Sequence, residues 1–390
     1  FWVVRSGISR MLLLLQPHAY TLETLTEAAW RRRAAAHNER IRTLLAPGFV
    51  PATPPPLTKY GTPSVRVRGS EDGWRALSTT DPVYNFLEEY YHIRGAKGTR
   101  KLARFSAGPS VTLLGATTAD IVGSGSVLAS RGATVDARGV TFDAAAAHAA
   151  AHAADATPYL WYRDVLAATG AAEPVLSCYG LHEWAMQYWP EGAPEPPSAV
   201  YQAHMRLRVP REVINQVVER RGVRCTHVDA LRFFAPAAGQ LNAHGASLRR
   251  EEQLRLEQPG CVHAHMDLFK MALRLAPYLE AELVADCLEI ALAARSLDVA
   301  ASPYDATDWG LPPVCIETAE GRQSYRRQQE ALMRRAAPVR AALLRAYDDF
   351  LLKAFGEQRL VEAGRKPADE RFAVATPGGA PWRRSLVARE

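Results

Sequence analysis

The sequence predicts a mostly α-helical, multi-helix single domain interrupted by one small β or irregular insertion. Three observations carry this expectation. Apolar residues recur at helical spacing in long, capped segments on both sides of a short non-helical stretch. That stretch, from Gly108 to Phe142, turns to Gly, Ser, Thr and Val, with β-like runs such as Ser110 to Leu114. Finally, 390 residues with 48% hydrophobic content suffice to fill one large core.

Taken in order, residues 1–22 form an N-terminal extension. They hold Arg5 and Arg10 but no acidic residue, as an organellar targeting segment would, although they are short of serine. The helical domain spans 23–360. A capping box, Thr24 with Glu27, precedes a helix over 25–45 whose inward stripe is Trp30, Ala34, His37, Ile41 and Leu44. Its remaining face is basic, which reads first as a solvated surface. His37 lies on the apolar stripe, where a hydrogen-bonded core histidine is the expected reading.

Proline-rich 46–80 reads as a loop. Asp81 then caps a helix with Pro82 at its first position and Val83, Phe86, Leu87, Tyr90 and Tyr91 as its stripe. Next comes a basic cluster, Arg94, Lys97, Arg100 and Lys101, a candidate anion-binding patch beside two tyrosines. The insertion extends over 107–155 and ends in an alanine run carrying His148 and His152 at i, i+4, a spacing that can chelate a metal but lacks the HExxH glutamate.

Further helices are expected from Thr157 to Gly170, over Leu176 to Trp189, from Pro210 to the capping Gly222, over 280–300, and over 323–355 with a bend at Pro338. The acidic row Glu282, Asp286 and Glu289 on the fourth of these reads as a solvated face. Residues 361–390 read as a disordered tail.

Composition narrows the function classes. No apolar run approaches the ~20 residues of a membrane helix, so a soluble protein with no membrane partner is expected. The five cysteines are dispersed without a CxxC pair, which speaks against a disulfide framework or zinc ribbon and for a reducing compartment. That compartment is the cytoplasm, or an organelle if 1–22 is a transit segment. A net charge of +6 and pI near 9.1 permit a polyanionic partner without requiring one.

The chemistry concentrates between Arg224 and Lys270. Four histidines and two aspartates lie there among apolar residues, and imidazoles and carboxylates are costly to bury unless they satisfy one another or hold a ligand. Asp229, Asp267, His227 and His263 are the candidate acid/base groups. His182, Trp184, Tyr188, Arg224, Phe233 and Phe234 are the candidate substrate-binding residues, with His182 beside Glu183 on a helix apolar around much of its circumference. The same imidazoles and carboxylate, His182, His227, His263 and Asp267, could equally ligate a borderline metal. No cofactor signature is present. All of these groups are expected to meet in one pocket walled by aromatic side chains.

Several segments, EAAWRRRAAAHNERI (27–41), LHEWAMQY (181–188), RCTHVDALRFFAPAAGQLN (224–242), QPGCVHAHMDLFK (258–270), DVAASPYD (298–305) and IETAEGR (316–322), resemble a bacterial and algal family commonly labelled 3-methyladenine DNA glycosylase. The likeness covers most of 25–345 outside the insertion and departs at His265, where the family has asparagine. It implies a DNA repair enzyme that removes alkylated purines from duplex DNA. On that reading Asp229 or Asp267 stabilises the oxocarbenium-like sugar, and Trp184, Tyr188, Phe233 and Phe234 stack the flipped base. The residues themselves leave two alternatives: an acid/base or metal-dependent enzyme acting on a small aromatic or phosphorylated molecule, and a non-catalytic binding protein whose polar residues only lock the core.

Overall fold

A computed structural model of the protein describes residues 23–45, 80–121, 127, 132–143, 156–196 and 205–364. The expected extension 1–22, nearly all of the proline-rich loop, His148 with His152, and the tail from 365 lie outside the described residues. Within them the fold is mostly α-helical with one small sheet, as the periodicity predicts.

A strand, β1 (Glu23–Leu25), runs directly into α1 (Glu27–Leu45). Trp30, Ala34, His37 and Ile41 of α1 are buried as the stripe requires, and His37 Nε2 lies 2.8 Å from the Leu102 carbonyl, the hydrogen-bonded core histidine expected there. Asp81 does cap the next segment, accepting from the backbone N–H groups of Val83 and Tyr84 at 2.9 and 3.3 Å. The regular helix α2 is only Asn85–Glu89, however, and Tyr90 is 50% exposed instead of continuing the stripe. The basic cluster forms a helix, α3 (Gly95–Leu102), with Arg94 at its N-cap.

The insertion contains β2 (Val111–Leu114), α4 (Thr118–Ile121), β3 (Ala133–Val135) and β4 (Gly139–Phe142). It is not two-stranded. The four strands lie in the order β1-β2-β4-β3, with β1 parallel to β2 and the other pairs antiparallel. The sheet's apolar face packs on α1 through Phe105, Leu113, Val127, Val140 and Phe142, beside Trp30, whose indole N–H donates to the Leu114 carbonyl at 3.0 Å.

After α5 (Thr157–Ala171) the chain is irregular to α6 (Leu181–Met186). The helix expected over 176–189 is cut to six residues because Tyr179 and Gly180 both take positive φ, 50° and 67°, which ends helical hydrogen bonding on that side. α7 (Arg211–Arg221) stops at Gly222 as predicted. Two short helices, α8 (Pro236–Gly239) and α9 (Gln253–Leu256), precede α10 (Val262–Leu275), α11 (Ala281–Ala301) and α12 (Ala319–Gly364). α12 contains Pro338 and leaves helical geometry at Gly356, φ 73°. The antiparallel-type pairing of α10 with α11 is the most extensive helix contact, and one buried apolar cluster runs from Ile41 through α5, α6, α10 and α11 to Phe355.

The acidic row on α11 stays partly exposed, at 37–42% of each side chain, but is paired with cations of α1. Glu282 meets Arg33 at 2.8 Å, while Asp286 and Glu289 meet Arg40 at 2.7 and 2.9 Å. The basic face of α1 is thus partly spent on holding α11. Among the described residues, no helix is long and apolar enough to cross a membrane.

Candidate functional site

Five elements deliver ionisable side chains to one region. His182 stands in the first turn of α6, His263 in the first turn of α10, and Asp298 with Arg295 near the end of α11. His227 and Asp229 come from the segment following α7, and Glu257 directly follows α9. Local hydrogen bonds fix the two irregular carriers. Asn242 Oδ1 accepts from the Cys225 N–H at 3.1 Å, and Val223 N–H donates to the Leu241 carbonyl at 2.9 Å, which pins the segment leading to His227. Gln258 Oε1 accepts from the Val175 and Gly260 N–H groups at 2.8 and 2.7 Å, and Gln329 Nε2 of α12 donates to the Gly260 carbonyl at 2.6 Å, which sets the start of α10.

The three imidazoles form a row. The His182 and His263 rings have centroids 4.4 Å apart, and His227 stacks on His263 at 4.7 Å and 10° between planes. Each outer ring has a buried carboxylate: His182 Nε2 lies 2.9 Å from Asp298 Oδ1, and His227 Nδ1 lies 3.2 Å from Glu257 Oε2. Behind them, Arg295 bridges Asp298 Oδ2 at 2.8 Å and Glu183 Oε1 at 3.0 Å, and Gln253 Nε2 donates to Glu257 Oε2 at 3.0 Å.

These partners split the electrostatics. Burial would lower the His182 pKa, but the Asp298 carboxylate outweighs it and the imidazole is raised above its ordinary value. Burial of His227 is likewise outweighed by Glu257. His263 has no carboxylate within ion-pair distance among the described residues. Burial, reinforced by the two flanking imidazoles, therefore holds it well below the usual range and neutral at pH 7.

Asp229 is clamped by Arg250, which donates from both terminal nitrogens, one of them at 2.9 Å, with the Lys270 ammonium 3.9 Å away. Burial would raise its pKa, yet Arg250 and Lys270 pull it well below the carboxylate range. Asp267 contacts Lys270 at 3.4 Å and lines a second small cavity with Glu257, Thr169 and Arg340. His265 is fully buried and accepts a hydrogen bond from Arg340 at 3.1 Å.

A small recess of about 10 Å³, room for about one water, lies against this row. Its lining includes His182, Arg224, His263 and three thiols, Cys178, Cys225 and Cys261. The expected convergence is therefore present in part. His182, Arg224 and His263 share the recess, His227 stacks beneath His263, and Asp229 and Asp267 lie beyond it in ion pairs. The expected aromatic walls are not there. Trp184 is wholly buried with its indole N–H donating to the Ala301 carbonyl at 2.9 Å, Tyr188 is buried with its hydroxyl donating to Glu219 at 3.0 Å, and Phe234 belongs to the core. Phe233 is half-buried against Tyr90, 6.3 Å between centroids. The thiols wall the recess as neutral groups, since burial pushes Cys225 up to about 12 and Cys261 well above its usual value. On α3, Arg94, Lys97 and Lys101 are exposed and Arg100 is half-buried, away from the recess lining.

Two donor sets among the described residues have the spacing of a metal site: His182, His263 and Asp298, and His227, Glu257 and Cys261, each with its donor atoms within 4.8 Å of one another. Asp298, Arg295, Glu257, Arg250 and Lys270 escaped the sequence reading. Asp298 left a signal, being an acid turned inward on an otherwise apolar helix face and the first residue of a motif carrying the family resemblance. Glu257 left none beyond preceding the Gln-Pro-Gly turn. Comparison with known proteins adds no identity: no family model, no curated protein and no solved structure matches this chain.

Proposed function

We propose that the chain is an enzyme acting on a small molecule that bears an anionic group such as a phosphate. The observation that carries this reading is the lining of the recess, where the imidazoles of His182 and His263 lie side by side, 4.4 Å between centroids, with a buried carboxylate and guanidinium behind them. A network that only locks a core gains nothing from leaving two imidazoles against a recess. Arg224, exposed on the recess lining, would receive the anionic group as a fork-shaped donor. At about 10 Å³ the recess holds no more than one water, so either substrate would have to widen it, a flipped nucleobase by more than a small anion.

The base-excision reading draws on the resemblance and on the exposed cations of α3. It receives less support, because Trp184, Tyr188 and Phe234 are turned into the core and Asp229 is held by Arg250. The two readings separate in solution. Turnover screened over small phosphorylated and carboxylated compounds should appear for the wild type, fall in kcat for His263→Gln, and rise in KM for Arg224→Ala. No turnover across such a panel, combined with duplex-DNA binding that weakens steeply with salt and release of alkylated adenine, would replace this proposal with the glycosylase.

A further inference from the structure

We infer that His182, His263 and Asp298 form the seat of a divalent transition-metal ion of the zinc or ferrous class. The inference rests on reading the recess as the reacting centre and names the agent beside it. His182 Nε2 and Asp298 Oδ1 lie 2.9 Å apart, yet they are not aligned for a hydrogen bond, and neither has another hydrogen-bond partner among the described residues although both are buried. A proton on His182 lets the pair satisfy itself as an ion pair when no metal is bound, and a metal would take that proton's place between the deprotonated imidazole and the carboxylate. Metal–ligand bonds of about 2.1 Å place neighbouring ligands on one ion roughly 3 to 3.4 Å apart, close to the His182–Asp298 separation, with the His263 donor within 4.8 Å of both.

Three further features fit a metal. His263 completes a two-imidazole, one-carboxylate set within 4.8 Å, a donor combination suited to borderline ions with positions left open. His182 and His263 both line the recess, so an ion held by them would lie next to it and could polarise a water or an anionic group that entered. Arg295 holds the other Asp298 oxygen at 2.8 Å and is itself held by Glu183 at 3.0 Å, the outer-shell support that orients a ligating carboxylate. In the competing set Glu257 Oε2 accepts from Gln253 and contacts His227 while Oε1 has no partner among the described residues, and of its three side chains Cys261 alone is on the recess lining.

The test uses the full chain, stripped with a chelator and titrated with Zn²⁺ by calorimetry and with Co²⁺ by visible absorption. One ion per chain should bind. Asp298→Asn and His263→Gln should each weaken it by about 100-fold or more, the upper end of what even outer-shell changes cause, while Cys261→Ser leaves it unchanged. If Asp298→Asn does not fold, His263→Gln decides alone, because its half-buried ring can be replaced without opening the core. Failure of the folded wild type to bind either ion overturns the seat. So does a sulfur-to-cobalt charge-transfer band, or a loss of binding in Cys261→Ser, either of which would place the ion at the other set. Tight binding without turnover of any anionic compound would remove the proposed function and keep the seat. Turnover lost in His263→Gln by a protein that binds no metal would do the reverse, leaving the imidazoles as acid and base.

Discussion

At the scale of single residues, Asp229 illustrates how a side chain that reads as reactive becomes an anchor. Its two oxygens are taken by Arg250, with Lys270 near by, and these cations hold its folded pKa below the unfolded one against the opposing effect of burial. A depressed carboxylate pKa contributes stability that is complete above the ordinary value near about 4 and is lost as the pH falls toward the folded value. Asp229→Asn should accordingly be less stable than the wild type at pH 7, by about 1 to 3 kcal/mol given the orphaned Arg250. The deficit should shrink as the pH is lowered below about 4. Urea midpoints at pH 7 and pH 3 test this, and a deficit that is the same at both would show that the carboxylate charge is not what stabilises the fold there. The residue pattern revealed that Asp229 and His227 belong to a polar network. It did not reveal that Arg250, on a separate segment, would claim the aspartate.

At the scale of elements, α1 and α11 each have an ordinary amphipathic sequence, one with a basic face and one with an acidic row. Read singly, each face looks solvated. The structure turns them together, and Arg40 contacts Asp286 and Glu289 at 2.7 and 2.9 Å with side chains 36–42% exposed. Pairs so exposed contribute little individually, so Arg40→Ala should cost about 0.5 to 1 kcal/mol, and less at high salt where the Debye length shortens to ~3 Å at 1 M. Equilibrium denaturation of both proteins at low and high ionic strength measures the difference. Equal stability at low salt would mean that the Arg40 pairs add nothing measurable to the packing of Trp30, Ala34 and Ile41. The same pairing bears on nucleic acid, since cations engaged with α11 are drawn away from any polyanion.

At the scale of the whole molecule, the site depends on a joint where the segment after α5, the start of α10 and the middle of α12 meet. Gly260 sits there without strain in φ, but a Cβ at this position would meet Gln258 Oε1 and the Val175 carbonyl at 2.9 Å and Leu176 Cδ2 at 3.1 Å. Backbone atoms cannot yield as a flexible side-chain tip does. Gly260→Ala should therefore lower stability by about 1 to 3 kcal/mol, the usual range for overpacking. It should also disturb His263, three residues on, more than His37, which hydrogen-bonds in a different part of the fold. A thermal melt gives the first effect, and the two imidazoles' NMR signals give the second. An unchanged melt would show that the joint is loose.

The sequence by itself determined the helices with long apolar stripes and clear caps, because those signals lie within a few turns of the chain: α1, α5, α7, α11 and α12 stand close to where periodicity puts them. It also determined that His182, His227 and His263 required satisfaction, since ionisable groups in apolar surroundings are costly wherever they end up. Only the tertiary structure decided which groups satisfy them. The parallel pairing of β1 with β2, the turn at Tyr179 and Gly180 that shortens α6, and the inward rotation of Trp184 all depend on contacts between distant segments. So does the meeting of His182 with Asp298 and of His227 with Glu257. Such partners are chosen by how helices rotate and pack against one another, and no local spacing encodes that choice.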